Sequence, residues 1–134
     1  MSEENIELLR RAWESFVNRD MAGVDYLHPE VEFVVGPETL PDGGVFRGRE
    51  GFRELIVQWT GAWDDYRQEP HEFIDLGDDQ AIVVARTTAR SKESGLELQG
   101  QTAYLYTFAD GMIRHIQTAR DRAEALELAA RTDG

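Results

Sequence analysis

Cysteine is absent from this chain of 134 residues, and lysine occurs only once, at Lys92. Without cysteine the protein has no disulfide bond, no thiolate nucleophile and no thiolate-bound zinc site. The formal net charge is -12, and the remaining basic residues are scattered arginines. Because nucleic acids are bound through clustered Lys and Arg, we expect no nucleic-acid partner.

Long apolar runs are missing as well. No stretch reaches the roughly 18 apolar residues of a membrane-spanning helix, and residues 2–5 are acidic rather than a basic leader. The composition, 41% hydrophobic and 30% charged, is typical of a soluble globular chain. We therefore expect a single domain over residues 1–134, cytoplasmic and without a membrane partner.

Two segments have the apolar spacing of amphipathic helices. The first begins at Ser2, a hydroxyl cap followed by acidic residues, and ends near residues 18–20. The second covers residues 49–63 and carries Trp59 and Trp63 on its apolar face. These two tryptophans are interpreted either as core residues or as ligand contacts.

Strand-like content begins at residues 31–35, and the Pro- and Gly-rich segment after it, residues 36–48, is expected to be a loop. From residue 66 onward, turn signals divide the chain into the strands of an antiparallel meander. The turns are expected at residues 77–79, 94–95 and 110–111, and the strands at residues 66–76, 80–92, 96–109 and 112–120.

The hairpin with its Asp-Gly turn at residues 110–111 is the strongest local signal, because this dipeptide tolerates the positive φ angles of a two-residue turn. Such a turn pairs Tyr106 with His115 and Tyr104 with Gln117. Since side chains alternate along a strand, one sheet face then combines aromatic and polar groups. That face is predicted to carry Tyr104, Tyr106, Phe108, His115, Gln117 and Asp121.

The turn at residues 94–95 extends this face onto the preceding strand. A two-residue loop there pairs Ala85 with Tyr104 and Val83 with Tyr106. Small side chains then lie opposite large aromatic ones, which leaves room for a ligand. The sequence therefore predicts a cavity beside these strands.

The turn at residues 77–79 leaves two registers open, and a slip of one residue exchanges the two faces of the strand. A two-residue loop turns Glu72 and Ile74 toward the cavity, whereas a three-residue loop turns His71 and Phe73 there. The second register places Phe73 with the other aromatic residues, which favours it.

The opposite face of the sheet is expected to be apolar too. Its predicted residues are Val84, Arg86, Leu105 and Ile116. A face of this composition is too apolar to be left in water. We therefore expect a homodimer that pairs through the outer sheet face.

Four landmarks along nearly the whole chain resemble SnoaL-like proteins of the nuclear transport factor 2 superfamily. They lie at residues 10–20, 28–31, 46–51 and 107–111. The order of helices, strand, helix and meander indicates an α+β fold. The resemblance implies that the strongly curved, mixed or antiparallel sheet forms a cone, with N-terminal helices packed on its concave side.

Ketosteroid isomerases of this superfamily use a helix tyrosine, a general-base aspartate and a second hydrogen-bond donor around their substrate. Position by position, the resemblance places these three on Trp13, Phe33 and Tyr104. Phe33 cannot act as a base, so the isomerase mechanism does not carry over in that form. Tyr104 and the indole N–H of Trp13 keep the ability to donate a hydrogen bond to a ligand oxygen.

Polyketide cyclases of the SnoaL kind imply a different set, with Asp121 abstracting a proton beside a carbonyl and His115 as a relay. In that set Tyr104 and Tyr106 position the ligand ring. Each residue also has a structural interpretation: Asp121 as the N-cap of a last helix over residues 122–130, His115 as a hydrogen-bonded sheet residue, and the tyrosines as packing residues.

The sequence therefore predicts a SnoaL-like protein that binds an apolar or aromatic small molecule. Cofactor-free isomerase or cyclase activity is one interpretation, and a noncatalytic ligand-binding or dimerisation module is the other. No metal site is expected, because the three histidines lie far apart in the chain. The predicted ligand contacts are Trp13, Phe33, Trp59, Trp63, Val83, Ala85, Tyr106 and Gln117.

Overall fold

The computed structural model describes residues 2–18, 21–36, 44–62, 66–77 and 79–132. In these ranges the chain forms α-helices, one short 3₁₀ helix and a six-stranded sheet. The helices are α1 (Ser2–Val17), α2 (Gly48–Ala62) and α3 (Arg122–Thr132), with the 3₁₀ helix at Met21–Tyr26. The strands are β1 (Leu27–Val35), β2 (Gly44–Arg47), β3 (Arg67–Asp75), β4 (Gln80–Arg90), β5 (Glu97–Ala109) and β6 (Met112–Ala119).

The strands follow the order β2-β1-β6-β5-β4-β3 in one sheet. All neighbours are antiparallel except β1 and β6, which run parallel. The meander of β3 to β6 was predicted from its turns, whereas the parallel pair joins segments distant in the chain. The mixed sheet with its helices confirms the predicted α+β cone fold.

The inner face of the sheet is the face that α1 and α2 cover. Helix α1 contributes Leu9 and Trp13, four residues apart on one helical face, and α2 contributes Leu55. The sheet contributes Phe33, Val83, Tyr104, Tyr106, Phe108, Ile113 and Ile116, among others. We call this group the inner cluster, and it is the main core of the protein.

The outer face of the sheet is covered by α3 of the same chain. Ala125 and Ala129, one helical turn apart, pack against Val84 and Leu105. These two residues were expected to lie on an exposed apolar face, but both are at most 1% exposed. The stated reason for a homodimer therefore does not hold for this part of the sheet, and the homodimer stays a prediction.

Two boundaries differ from the expected ones. The segment expected to be a loop contains β2, which pairs with β1; of that segment, residues 37–43 lie outside the described ranges. Strand β1 begins earlier than expected and includes Pro29. The pairing of β1 with β6 is interrupted between Leu27 and Glu32, so the missing N–H of Pro29 removes no hydrogen bond from this ladder.

The Asp-Gly turn is confirmed, with φ angles of 56° at Asp110 and 74° at Gly111. Beyond it the predicted register is wrong. Phe108 pairs with Ile113 as expected, but Thr107 rather than Tyr106 pairs with His115. Strand β6 therefore contains a β-bulge, whose extra residue exchanges the faces of everything that follows.

The bulge has a physical reason in the apolar pattern of β6. Ile113 and Ile116 are three residues apart, and strict alternation cannot turn both inward. With Arg114 as the extra residue, both isoleucines are 2% exposed within the inner cluster. Arg114 in turn donates from Nη1 to the carbonyl oxygen of Glu30 on β1, which holds the bulge against the parallel strand.

Candidate functional site

Tyr104 lies at the centre of the inner cluster, and it is only 2% exposed. Strand β5 turns it inward opposite Val83 of β4. The Trp13 ring of α1 meets the Tyr104 ring edge-on, with centroids 5.4 Å apart, and the Tyr106 ring lies at 6.4 Å. Edge-on aromatic contacts at such distances hold the rings in place. A phenol hydroxyl is thus fixed inside an apolar, aromatic core.

A hydrogen-bond network crosses three strands beside this ring. Gln68 of β3 donates from Nε2 to Oη of Tyr104 at 2.5 Å and to Oγ1 of Thr87 at 3.2 Å. Oγ1 of Thr87 lies 3.4 Å from Oγ1 of Thr102. The hydroxyl of Tyr66 also hydrogen-bonds to Tyr104. We call these five side chains the Gln68 network.

The strand registers explain why these side chains meet. Gln68 is the cross-strand partner of Thr87, and Ala85 is the partner of Thr102. The partner of Thr87 on β5 is Gly100, which has no side chain. A methyl group placed there would meet no atom of the described residues within 4 Å, so among these residues this end of the inner face is open. The network therefore leads from an open end to a buried hydroxyl.

Burial raises the pKa of Tyr104, Tyr106 and Tyr66 above the usual value of 10.0, because a phenolate is poorly solvated among apolar groups. The neighbouring Tyr104 raises the pKa of Tyr66 and Tyr106 further. All three are therefore neutral hydroxyls at ordinary pH. As neutral phenols they can donate a hydrogen bond to a ligand but cannot abstract a proton.

The indole N–H of Trp13 is a buried donor that has no hydrogen-bond acceptor within the described part of the chain. Its position beside Tyr106 acts to lower the pKa of that hydroxyl, although burial has the larger and opposite effect. An unpaired buried N–H costs about 1–3 kcal/mol. Trp13 is thus a second polar group in the aromatic core, beside Tyr104.

His115 and Gln117 do not lie with the tyrosines, because the bulge in β6 turns them to the outer face. Gln117 pairs there with Leu105. His115 lies with Nε2 3.5 Å from Oε1 of Glu32, whose other oxygen accepts a hydrogen bond from Nε of Arg47 at 3.2 Å. The prediction that these two residues share the cavity face is wrong. Ile116 and Thr118 occupy the inward positions instead.

Asp121 is exposed and caps helix α3. Its Oδ1 accepts a hydrogen bond from the backbone N–H of Glu124 at 2.9 Å, the position that an N-cap side chain serves. The structural interpretation of Asp121 therefore has direct geometric support. Its role as a catalytic base stays a prediction, as does that of His115.

Most of the predicted ligand contacts lie together in the inner cluster. The β4–β5 register differs from the predicted one by a shift that keeps the faces: Val83 pairs with Tyr104, and Ala81 rather than Val83 pairs with Tyr106. The contacts that the structure brings together are Trp13, Phe33, Val83, Ala85 and Tyr106. Trp63 lies outside the described residues, and Trp59 is described only in its backbone.

The register of β3 is the three-residue alternative. Phe73 pairs with Val83 and packs against the inner cluster, as favoured, and Ile74 packs on the outer face. His71 was expected beside Phe73 in this register, and that expectation is wrong. It is the extra residue of a bulge between Pro70 and Glu72, and it is exposed.

The sequence reasoning missed Gln68 and Tyr66. Gln68 precedes the bulge of β3, so counting back from Phe73 by twos assigns it to the outer face. The signal that was available is the pair of threonines, Thr87 and Thr102, on inward-facing positions of the next strands. Two hydroxyls on inward positions of neighbouring strands indicate a polar side chain on the third strand that hydrogen-bonds to them.

Within the described ranges, no three His, Asp or Glu side chains gather closely enough to hold a metal ion. None of the helices described there has both the length and the apolarity to cross a membrane.

Comparisons with known proteins agree with this fold. TerC, co-crystallised with polyporic acid, has a TM-score of 0.76 and 25% identity, covering 95% of this chain and 98% of its own. An NTF2-like protein of unknown function from Burkholderia pseudomallei has a TM-score of 0.78 and 23% identity, covering 93% and 96%. Bal32a, from a soil-derived mobile gene cassette, has a TM-score of 0.79 and 18% identity, covering 88% and 89%. No curated protein sequence matches.

The family comparison decides the assignment. The model of the SnoaL-like domain matches residues 9–116, a span that begins in α1 and ends in β6. It therefore includes the helix, the strands and the hairpin that build the inner cluster. On this match the chain belongs to the family of SnoaL-like domains.

Proposed function

We propose that this protein binds an apolar or aromatic small molecule against the inner face of its sheet, with the polar group of the ligand at the Tyr104 hydroxyl. The observation that carries the proposal is the Tyr104 hydroxyl itself, held by Gln68 within an aromatic core. Ligand sites commonly combine apolar walls with a few placed polar groups.

The energetics support a binding role for the Gln68 network. A buried polar network contributes little net stability compared with apolar side chains of the same shape. Phenylalanine at position 104 would pack against Trp13 without any buried hydroxyl. Packing alone does not require the Tyr104 hydroxyl, whereas recognition of a ligand does.

The open end of the inner face supplies an approach for the ligand. Thr87 and Thr102 are half-buried, and no atom in the described part of the chain lies within 4 Å of a methyl group placed at Gly100. A ligand entering there meets the threonine hydroxyls first and Tyr104 next. TerC, which shares the fold, was co-crystallised with polyporic acid, and this compound is our first probe.

Binding without catalysis is favoured over proton-transfer chemistry. Abstracting a proton needs a base, and the titratable groups that line the described inner cluster are tyrosines whose pKa values are raised by burial. Tyr104 and Trp13 can polarise a carbonyl, which alone does not move a proton. The isomerase or cyclase alternative needs a base that reaches the ligand, and Asp121 remains its candidate.

Calorimetric titration of polyporic acid into the protein tests the proposal. We expect saturable binding, and Tyr104→Phe should weaken it about 5- to 10-fold, because one hydrogen bond of about 1 kcal/mol is lost. Tyr26→Phe, which lies outside the Gln68 network, is the matched control and should bind as the wild type does. Chemical-shift changes should map to Thr87, Thr102 and Tyr104.

Equal affinity of the wild type and Tyr104→Phe would contradict the assignment of Tyr104 as the polar anchor. Shift changes confined to the outer face would contradict the inner site. Product formation during the titration, abolished by Asp121→Asn, would establish the enzyme alternative.

A further inference from the structure

The Asp-Gly turn between β5 and β6 contains a chemically reactive peptide unit. In an Asp-Gly pair the backbone nitrogen of the glycine can attack Cγ of the aspartate side chain, because glycine has no side chain to crowd the approach. The pair occurs three times in the sequence, at residues 42–43, 110–111 and 133–134. Of these, residues 110–111 lie within the described ranges.

Both partners of this reaction are accessible in the turn. The Asp110 side chain is 78% exposed. A methyl group placed on Gly111 would meet no atom of the described residues within 4 Å. The strand pairing closes on Ala109 and Met112, so the Gly111 nitrogen lies within the two-residue turn and takes no part in the ladder.

His28 of β1 holds the Asp110 carboxylate from the other side of the turn. Its Nε2 lies 3.3 Å from Oδ2 of Asp110, and its Nδ1 accepts a hydrogen bond from the backbone N–H of Glu30 at 3.0 Å. Since Nδ1 accepts, the proton of the neutral ring is on Nε2 and is donated to Asp110. The His28 side chain is only 15% exposed, so its ring is fixed at both nitrogens.

We infer that Asp110 is a modification site, at which the Asp-Gly turn converts to isoaspartate, and that His28 slows this conversion by holding the Asp110 carboxyl group away from the Gly111 nitrogen. The contact joins two of the sequence landmarks, at residues 28–31 and 107–111. Neither His28 nor Asp110 belongs to the proposed binding site, so this inference does not depend on ligand binding.

The conversion takes two steps and needs only water. The Gly111 nitrogen forms a bond to Cγ of Asp110, and the carboxyl OH group leaves with the N–H proton as water, which gives a five-membered succinimide ring. Water then adds to one of the two ring carbonyl carbons. Cleavage of the N–Cγ bond restores aspartate. Cleavage of the bond between the nitrogen and the main-chain carbonyl carbon leaves the backbone running through Cγ, which is isoaspartate.

The product has one more backbone atom in the turn. The native turn has φ angles of 56° at Asp110 and 74° at Gly111, a geometry that matches two residues between paired strands. An extra atom disturbs this match. The next pair along the strands, Phe108 and Ile113, belongs to the inner cluster, so isoaspartate should weaken the hairpin beside the core.

Incubation of the folded protein in neutral buffer tests the inference. Proteolysis followed by mass spectrometry with electron-transfer fragmentation then measures isoaspartate at each Asp-Gly pair. We expect slow conversion of Asp110 in the wild type. His28→Ala should raise its rate about 5-fold, which corresponds to a barrier lower by about 1 kcal/mol, the contribution of one hydrogen bond.

Two further variants and an internal reference make the comparison specific. His28→Gln keeps a side-chain N–H that can reach Asp110, so its rate should lie between those of the wild type and His28→Ala. His71→Ala removes an exposed histidine of β3 and is the matched control, which should convert as the wild type does. The pair at residues 42–43 of the same chain is the internal reference, and its rate should be equal in all four proteins.

Circular dichroism establishes that each variant is folded before the rates are compared, and His28→Gln becomes the deciding variant if His28→Ala unfolds. Equal rates at Asp110 in the wild type and the His28 variants would overturn the restraining role of His28. An equal rise at residues 42–43 would trace the effect to a general loosening of the chain, and would overturn that role too. Absence of isoaspartate at position 110 in every folded protein would overturn the modification site.

Discussion

The residue types of Asp121 and Tyr104 do not reveal that one lies on the surface and the other in the core. Asp121, an acidic residue at the end of the aromatic hairpin, caps α3 on the surface. Tyr104, by contrast, is enclosed by rings and holds its hydroxyl in the core. A charged carboxylate is costly to bury and therefore stays in water at the end of a helix. A neutral phenol can be buried if its hydroxyl is hydrogen-bonded.

Removing the cap tests the role of Asp121. Asp121→Ala should lower the free energy of unfolding by about 1 kcal/mol, because the N–H of Glu124 loses its acceptor. Asp121→Asn should retain most of the stability, since asparagine is also a good N-cap. Urea denaturation of the three proteins measures this. If both substitutions left the unfolding midpoint unchanged, the cap would contribute nothing.

The buried tyrosines predict how stability depends on alkaline pH. Tyr66, Tyr104 and Tyr106 have raised pKa values in the folded state, so their protonated forms favour folding. Their contribution is fully present below the unfolded pKa of about 10 and is lost as the pH rises above it. The loss is about 1.4 kcal/mol per pH unit for each such tyrosine.

We therefore expect tyrosine ionisation, followed by absorbance at 295 nm, to coincide with loss of circular dichroism above pH 10. Tyr104→Phe should make the decline of stability with pH shallower. Gradual ionisation of all tyrosines in a protein that stays folded would contradict the burial described here.

At the scale of the elements, two features shape the site: the bulge in β6 and the cover provided by α3. The bulge at Arg114 turns Ile116 inward and His115 outward. Helix α3 closes the opposite face over Val84 and Leu105. Since the two faces of a sheet exchange with each one-residue slip, the bulge decides which side chains of β6 face the inner cluster.

Removal of α3 tests its role as a cover. A chain ending at residue 120 should expose Ile82, Val84 and Leu105, a contiguous apolar patch on the outer face. We expect this variant to self-associate at micromolar concentration. Sedimentation velocity of the full chain and the truncated chain, side by side, measures the change and also tests the predicted homodimer of the full chain. Identical sedimentation of the two would contradict the covering role.

At the scale of the whole molecule, the site couples to folding because it is built from distant segments. Trp13 comes from α1, Gln68 from β3 and Tyr104 from β5. A ligand that contacts these elements binds only the folded state and therefore stabilises it. The same reasoning predicts no stabilisation from ligands that bind the unfolded chain equally well.

This coupling can be measured by thermal unfolding. A ligand of the inner face at about 100 times its Kd should raise the free energy of unfolding by about 2.7 kcal/mol. At the same ligand concentration, Tyr104→Phe should show a smaller rise in melting temperature than the wild type, because its ligand lacks the hydrogen bond to the Tyr104 hydroxyl. An equal rise in both proteins would show that the polar group of the ligand makes no contact with Tyr104.

Much of the fold was predictable because its signals are local. The apolar spacing of α1, the Asp-Gly turn and the strands between the other turns depend on residues a few positions apart. The inward positions of Val83, Ala85 and the tyrosines of β5 followed from alternation, which the shift in the β4–β5 register did not disturb. Trp13 and Phe33 were placed by the resemblance to the family instead.

The rest of the site was not predictable, since it depends on bulges and on contacts across the chain. The bulge at His71 puts Gln68 on the same inner face as Phe73, although simple alternation would put them on opposite faces. The bulge at Arg114 turns His115 to the face opposite the tyrosines. Whether a strand accepts an extra residue depends on what the sheet and helices can bury on each face. That balance is set by neighbours far away in the sequence.

The sequence by itself determined the class of this protein: an α+β chain without cysteine, with the landmarks of a SnoaL-like domain and an aromatic hairpin at its centre. Only the tertiary structure decided which polar group the aromatic residues surround. The hydrogen bond between Gln68 and Tyr104 joins residues 36 positions apart, and it exists because three neighbouring strands and the bulge in β3 align them. Local spacing encodes the elements, whereas the register between them is settled by what each face can bury.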